Sequence, residues 1–447
     1  MTDKPHSPSD VIVVVGLGYV GLTLGVALAQ RGYRIVGLEK RAEVVEQTNA
    51  GKAHFSEAGL DKALQAVIAS GHFTACNELA GDISAQSYII TVGTPLIEGS
   101  TKPRLDMIER ASREVADHMD DGALVVLRST VKIGTTRNIV RPVLEASGKR
   151  FHLSMCPERT LEGAALKELA QLPQIVSGDS VEAADRADAL FRNLTRATVR
   201  VSDLETAEMI KLIDNTSRDV RFAFANEVAR ACDAIGIDGG EVIRAGKFEY
   251  PRTDVALPGL VGGPCLEKDP HILMASLAEF DTSLEITAAS RLVNERQPSE
   301  TVQAIVDRLA QRGEAPYRVA VAGIAFKGRP ETDDLRGSMS LKVIDCLMNR
   351  PEISEVVLYD GVVSRADLEG LRLEVRIEDD VLKASAGCHV LVIGNNHPEY
   401  ANLDLDACVD GMAEGGFVYD YWAHLVERPP PQLRGRYFTV GNNTGWS

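Results

Sequence analysis

The feature that most restricts the fold is a glycine-rich turn, Gly16-Leu17-Gly18-Tyr19-Val20-Gly21, set between an unbroken apolar run and an Ala/Leu-rich stretch. Val11 to Val15 holds no polar residue, which predicts a strand buried on both faces, and Leu22 to Gln30 predicts the helix that follows. Each glycine has its own task. The first permits the tight turn, the second lets a pyrophosphate approach the backbone, and the third lets helix and strand pack closely. A second predicted strand, Arg34 to Leu38, ends at Glu39, 21 residues after Gly18, where a carboxylate accepts hydrogen bonds from an adenosine 2′-hydroxyl. The same turn occurs in ordinary βαβ units, but the flanking strands and the acid together point to a dinucleotide. Gly16, Gly18, Tyr19, Val20, Gly21 and Glu39 are the expected contacts. Lys40 and Arg41 leave NADP open, but Glu39 repels a 2′-phosphate, so NAD is favoured.

The alternation of strand and helix continues. Tyr88 to Val92, Ala123 to Leu127, Phe151 to Ser154 and Gln174 to Val176 are predicted strands. Polar or small tails follow: Thr94-Pro95, Ser129-Thr130 and Pro157-Glu158. Ligands of open α/β sheets sit beyond the carboxyl ends of strands, so these tails are site candidates by position. From Glu205 to about Gly236 the pattern is continuously helical without proline, and a central helical segment is predicted to run to roughly Pro298. After the loop Arg312 to Pro316 the first pattern returns. Arg318 to Ala322 is a strand, Gly323 turns the chain, Met339 to Met348 is a helix, and strand Val356 to Tyr359 ends at Asp360. The expected fold class is α/β, with two doubly wound Rossmann-like domains joined by a central helical segment. The expected boundaries are 1–200, 201–300 and 301–447, and the last domain has the form to hold a second nucleotide. The tail beyond Glu427, with Pro429-Pro430-Pro431 and Gly441 to Ser447, reads as peripheral.

A length of 447 residues fits two or three domains. The net charge of −16 argues against a nucleic-acid or anionic-membrane partner. No apolar run approaches the roughly 20 residues of a membrane span, and the polar start, Met1 to Asp10, has no signal-peptide core. Seven cysteines, an odd number scattered along the chain, do not form a disulfide framework, and a reducing cytoplasm is the expected setting. Nine histidines show no metal-ligand spacing, so no metal is expected.

The chemistry centres on Gly262-Gly263-Pro264-Cys265-Leu266-Glu267-Lys268-Asp269. Glycines there permit close approach to a ligand, although a lone cysteine is more often a small buried hydrophobe and a charge run more often a surface. Lys211 and Asn215, four apart on a predicted helix, project from one face toward one ligand. Glu158 and Glu162 read as groups beyond a strand end, with an acidic first helical turn as the alternative.

Together with Val92-Gly93-Thr94-Pro95, Ser129-Thr130-Val131 with Gly134-Thr135-Thr136, and Ala325-Phe326-Lys327 with Asp333-Asp334-Leu335-Arg336, these pieces resemble the UDP-glucose/GDP-mannose dehydrogenase family, over nearly the whole chain and in family order. The resemblance implies an NAD-dependent nucleotide-sugar 6-dehydrogenase. Oxidising an alcohol to an acid takes two hydride transfers, and Cys265 would capture the intermediate aldehyde as a thiohemiacetal and then a thioester. Lys211 and Asn215 would hold the oxyanion, with Lys211 also a proton carrier. Asp269 would assist Lys211 and a water that Thr130 and Glu162 position. Glu158, Arg159, Glu162, Gly262 and Lys327 would meet the UDP-sugar, and Thr94, Pro95, Thr130 and Arg336 the cofactor. A homodimer through the central helices and a part in polysaccharide biosynthesis are implied as well.

The chain departs from the family where Gly328-Arg329-Pro330-Glu331 lengthens the loop before Arg336 and Gly337 replaces an acid. Asn215-Thr216-Ser217-Arg218-Asp219 and Tyr250-Pro251-Arg252 resemble the branch that oxidises UDP-N-acetylhexosamines, with Arg218 and Arg252 on the substrate side. A plain ion pair is the alternative for Arg218-Asp219. UDP-glucose is the other sugar considered. A two-electron β-hydroxyacid dehydrogenase would need neither Cys265 nor a third domain, and a non-catalytic binding protein would have no use for Cys265, Lys211, Asn215 and Asp269 together.

Overall fold

The computed structural model describes residues 10–81, 83–425 and 431–445, so the polar stretch before Asp10 and Pro429-Pro430 lie outside the described residues. Two compact units divide the chain. The first runs to Asp214 and includes His271–Ser283; the second comprises Asn215–Pro270 and the chain from Leu284 onward.

In the first unit, six parallel strands form one sheet: β1 (Val11–Val15), β2 (Arg34–Leu38), β3 (Phe73–Cys76), β4 (Ser87–Ile90), β5 (Ala123–Leu127) and β6 (Phe151–Met155), in the order β3-β2-β1-β4-β5-β6. The apolar runs explain the centre: Val13 lies opposite Val36 on one side and Tyr88 on the other, with both sheet faces covered. Chain order reverses between β1 and β4, which opens the crevice where such sheets take ligands. Gln174–Val176 is a strand as expected, but it stands outside this sheet and pairs as β7 with β8 (Thr198–Arg200). α1 spans Tyr19–Ala29, starting three residues before the apolar stretch because the glycine turn itself opens the helix.

The second unit repeats the arrangement. Its sheet of β9 (Tyr317–Ala322), β10 (Ile353–Tyr359), β11 (Arg376–Ile377), β12 (Val390–Ile393), β13 (Phe417–Asp420) and β14 (Tyr437–Thr439) is parallel, in the order β11-β10-β9-β12-β13-β14. The expectation of a peripheral tail is corrected by β14. Tyr437 and Phe438 are buried on the sheet, and Asp233 accepts hydrogen bonds from the Gly441 and Asn443 amides at 3.2 and 2.9 Å.

α2 (Leu204–Ile235) is one helix of 32 residues. Its buried residues include a polar stripe: Glu208, Lys211, Asn215, Asp219 and Asn226 lie at spacings that keep one face. The expected end near Pro298 is also corrected. α4 (Glu285–Ala310; α3 is the short helix Gly263–Leu266) continues through Pro298 for 26 residues in all. A mid-helix proline costs about 3 kcal/mol. Beyond it Val302, Ile305, Val306 and Leu309 join the core of the second sheet, each worth about 1.5–3 kcal/mol, so burial wins. Among the described residues no helix is long and apolar enough to cross a membrane, and no group of three potential ligand side chains could hold a metal.

Candidate active site

The turn after β1 is built as the glycine spacing requires. Gly16 has φ +93°, and a Cβ on Gly21 would lie 1.8 Å from the Gly16 carbonyl, so neither position takes a side chain. Beside Gly18 a Cβ would meet nothing within 4 Å, and no side chain caps the amides at the start of α1. Uncapped amides facing open space fit a pyrophosphate. Glu39 accepts from the Leu17 amide at 3.1 Å and from the Arg41 amide and Nε at 3.1 and 3.2 Å. Burial acts to raise its pKa, but the bonds from Arg41 and Leu17 outweigh burial and hold the carboxyl below its ordinary value. The two cations that left NADP open are both paired, Arg41 with Glu39 and Lys40 with Glu114 at 2.9 Å. The Tyr19 ring stacks on Phe55 with centroids 3.8 Å apart.

The tails of β4, β5 and β6 converge as their positions suggest. Thr94 is buried and donates its hydroxyl to the Thr130 carbonyl, while Pro95 is exposed. Glu158 is buried, with one oxygen accepting from Arg128 at 3.0 and 2.6 Å and the other from the Arg159 and Thr160 amides at 2.7 and 2.8 Å. Burial works to raise its pKa, but Arg128 and the amides hold it down. With four donors already in place, the carboxylate of Glu158 organises its own loop. Arg159 turns to the Pro173 carbonyl at 2.6 Å, and Glu162 is half-buried in the next turn.

Sequence reasoning missed Glu208, one turn before Lys211 on α2. Its carboxylate accepts from the Gly134 amide at 2.6 Å and from the Thr136 amide and hydroxyl at 2.8 and 2.6 Å. Burial pushes its pKa up to about 7 against those bonds. The stretch it anchors continues as a π-helical turn, Thr136–Val140. The polar stripe of α2 was the signal that would have found it.

In the second unit the Cys265 loop is tightly confined. The Gly263 amide donates to the Gly337 carbonyl at 2.7 Å, and Gly263 has φ +87° with the Phe326 ring 2.4 Å from where a Cβ would stand. A Cβ on Gly262 would fall 2.5 Å from the Gly337 carbonyl. Cys265 is half-buried on α3. Four residues on, the fully buried Asp269 accepts from Asn215 Nδ2 at 2.6 Å and from Lys268 Nζ at 2.7 Å. Lys211 lies one turn before Asn215 on α2 and is likewise buried.

The remaining expected contacts lie on α2, ahead of the Cys265 loop and after β9. Arg218 is exposed, and its neighbour Asp219 pairs instead with Arg291 at 2.6 Å, an interhelical ion pair. Arg252 is exposed, donating to the Tyr250 hydroxyl at 3.1 Å with its guanidinium over that ring. Lys327 is buried against the Phe326 ring, and Arg336 makes a forked pair with Asp334, closest at 2.6 Å. The second domain's acid, Asp360, accepts from the Ile324 and Ala325 amides at 2.6 and 3.0 Å, closing its turn from within as Glu39 does at Leu17.

Comparison with known proteins covers the whole arrangement. Three models of the UDP-glucose/GDP-mannose dehydrogenase family match: the NAD binding domain at residues 10–195, the central domain at 205–296 and the UDP binding domain at 320–427. UDP-N-acetyl-D-mannosamine dehydrogenase of Pyrococcus horikoshii is 34% identical over 426 residues, 94% of this chain and 96% of that protein. The solved structure of UDP-D-ManNAc dehydrogenase from Pyrococcus horikoshii superposes with a TM-score of 0.87 at 32% identity, covering 98% of this chain and 100% of that one. A UDP-glucose dehydrogenase from Pyrobaculum islandicum gives a TM-score of 0.86 at 26% identity, with 99% of both chains covered.

Proposed function

Because the chain belongs to the UDP-glucose/GDP-mannose dehydrogenase family and is an NAD-dependent nucleotide-sugar 6-dehydrogenase, we propose that it oxidises the C6 hydroxyl of a UDP-N-acetylhexosamine to the carboxylate in two steps on Cys265. The observation that carries the proposal is the buried pairing of Asn215 with Asp269 at 2.6 Å, four residues after Cys265 and one helical turn after Lys211. A half-buried cysteine on a short helix, four residues before a buried carboxylate held by an amide donor, suits a nucleophile.

NAD, when bound at Gly16–Gly21, supplies the hydride acceptor for each oxidation. The remaining chemistry belongs to the side chains. Lys211 takes the proton of the C6 hydroxyl as the first hydride leaves. The Cys265 thiolate then adds to the aldehyde carbon; a C–S bond forms and the carbonyl π pair moves onto oxygen. Lys211 and the second N–H of Asn215 stabilise that oxygen. Loss of the second hydride from the thiohemiacetal leaves a thioester. Water, held by Thr130 and Glu162 and deprotonated with the help of Asp269, adds to it; the C–S bond breaks and Cys265 departs as thiolate. The sum is two hydrides and three protons lost, one water gained and a carboxylate formed.

Residues 1–200 act as the NAD domain, 201–300 as the central helical and dimerisation segment, and 301–447 as the UDP-sugar domain, with Lys327 the cation for its phosphates. Glu158 supports its own loop more than it meets the sugar, and Arg218, exposed on α2, acts on the substrate side. The enzyme works as a homodimer in the cytoplasm on precursors of polysaccharide. Its seven free thiols suit a reducing compartment.

The N-acetylated sugar is favoured by the 34% identity to the mannosamine enzyme, and the likeness to the Pyrobaculum UDP-glucose enzyme favours UDP-glucose as a second reading. Initial rates of NADH formation with a panel of UDP-sugars separate them. The expected result is a kcat/KM for UDP-N-acetylmannosamine at least tenfold above UDP-glucose, about 1.4 kcal/mol, because an amide-binding group left unpaired by glucose is costly. The reverse ratio replaces the proposal with the second reading.

A further inference from the structure

The ion pair between Asp219 and Arg291 belongs to a larger buried network. Arg291 is a fully buried guanidinium on α4. One of its nitrogens donates to Asp219 Oδ1 at 2.6 Å and to the Leu266 carbonyl at 3.0 Å, and its other side reaches Glu295 at 3.2 Å. Asn294 Nδ2 donates to Asp219 Oδ1 at 2.9 Å and to the Asp219 carbonyl at 3.1 Å. Asn226 Nδ2 donates in turn to Asn294 Oδ1 at 3.1 Å. Asn226 also grips the Gly259 backbone from both sides, accepting from its amide at 2.9 Å and donating to its carbonyl at 3.1 Å. The bonds run without a break from Gly259 through Asn226, Asn294, Asp219 and Arg291 to Leu266.

Gly259 and Leu266 bracket the loop that carries Cys265. A loop this rich in glycine has little stiffness of its own, and α3 has only 4 residues, too few to hold its shape unaided. Burying an arginine and an aspartate together costs several kcal/mol in desolvation, a cost that a purely structural contact between two helices could avoid with apolar side chains. Here the charged pair supplies something apolar residues cannot: a donor for the Leu266 carbonyl, next in sequence to the thiol.

We infer that Arg291 is a positioning residue for Cys265, the far end of a buried Asn226–Asn294–Asp219–Arg291 clamp that fixes both ends of the thiol-bearing loop. It deepens the thioester reading and rests on it. Release of the Leu266 carbonyl lets α3 fray, so the sulfur becomes more accessible to solvent reagents and less often aimed at the aldehyde. Catalysis and chemical accessibility then change in opposite directions, which a general loss of folded protein does not produce.

The test uses the full chain with two variants. Arg291→Lys keeps the charge but cannot make the forked set of bonds. Asp219→Leu/Arg291→Met removes both charges together, a replacement that buried pairs commonly tolerate without loss of stability. Thermal melting shows that the protein is folded. The modification rate of Cys265 by iodoacetamide, followed on its own peptide by mass spectrometry, and steady-state kinetics provide the readouts. The expected result for the double variant is modification at least fivefold faster, kcat at least tenfold lower, and KM for NAD within twofold of the parent. Modification and kcat both within twofold in a folded double variant overturn the clamp. If Cys265→Ser keeps full turnover, the thioester reading fails, while the modification rate still decides the clamp.

Discussion

A Cys265→Ser variant is expected to carry out the first oxidation and then stall, with steady formation of the carboxylate reduced on the order of 10³-fold or more. The reason lies in acidity. A cysteine thiol has a pKa near about 8.5 and supplies a useful fraction of thiolate near neutral pH, whereas a serine hydroxyl ionises far less readily and needs a dedicated base. The proposed mechanism assigns Asp269, held by Asn215 and Lys268, to the hydrolytic water and assigns no base to the side chain at 265. The substitution is nearly isosteric at a half-buried position, so the fold should survive it. Rapid-quench analysis should find sugar aldehyde, or an ester on Ser, accumulating after one turnover. Carboxylate formation within tenfold of the parent rate would mean that the aldehyde is oxidised without a covalent intermediate.

Lys211→Ala carries the second large effect. Removing one preorganised donor from a developing oxyanion typically costs about 10²–10³ in kcat. Lys211 is also the proposed acceptor of the first proton, so the loss should reach the upper end of that range. It should fall on kcat with KM for NAD within about threefold, because the proposed role of Lys211 lies at the sugar's C6 oxygen and not at the Gly16–Gly21 turn. The buried site leaves a cavity in the variant, so a melting curve must accompany the kinetics. A folded Lys211→Ala enzyme retaining a third of parent kcat would remove Lys211 from the chemistry.

The local parts of this fold were legible in the chain, and the non-local parts were not. β1, the glycine turn and β2 declare themselves because each is a short run whose pattern needs no partner. β3 is four residues at a sheet edge, Phe-Thr-Ala-Cys, too short and too mixed to stand out. β14 follows a proline run, and its Tyr437 and Phe438 make sense as core only once β13 is beside them. Pro298 stopped the predicted helix because the local rule is sound, but the rule cannot weigh the apolar face that the next turns bring to the second sheet.

The site divides in the same way. Positions such as Cys265, Lys211 and Glu39 could be picked out from spacing and resemblance, but their pairings could not. Asp219 stands next to Arg218, and the eye pairs them; along α2 the two residues point about 100° apart, and the partner of Asp219 is Arg291, 72 residues away. Glu158 looked like a ligand for the sugar because it follows a strand. Arg128, thirty residues earlier and buried on β5's end, takes up one of its oxygens. Glu208 taken alone is one acid on a long helix; what marks it is its place on one stripe with Lys211, Asn215 and Asp219, all of them buried.

One active centre is expected to remove four electrons from each sugar without releasing the aldehyde. The most direct measurement is the ratio of NADH formed to UDP-sugar consumed, taken to completion with limiting UDP-N-acetylmannosamine and excess NAD. Two NADH are expected for every sugar, with the uronate as the sole product. One NADH per sugar, with an aldehyde or ketone as the end product, would contradict that expectation.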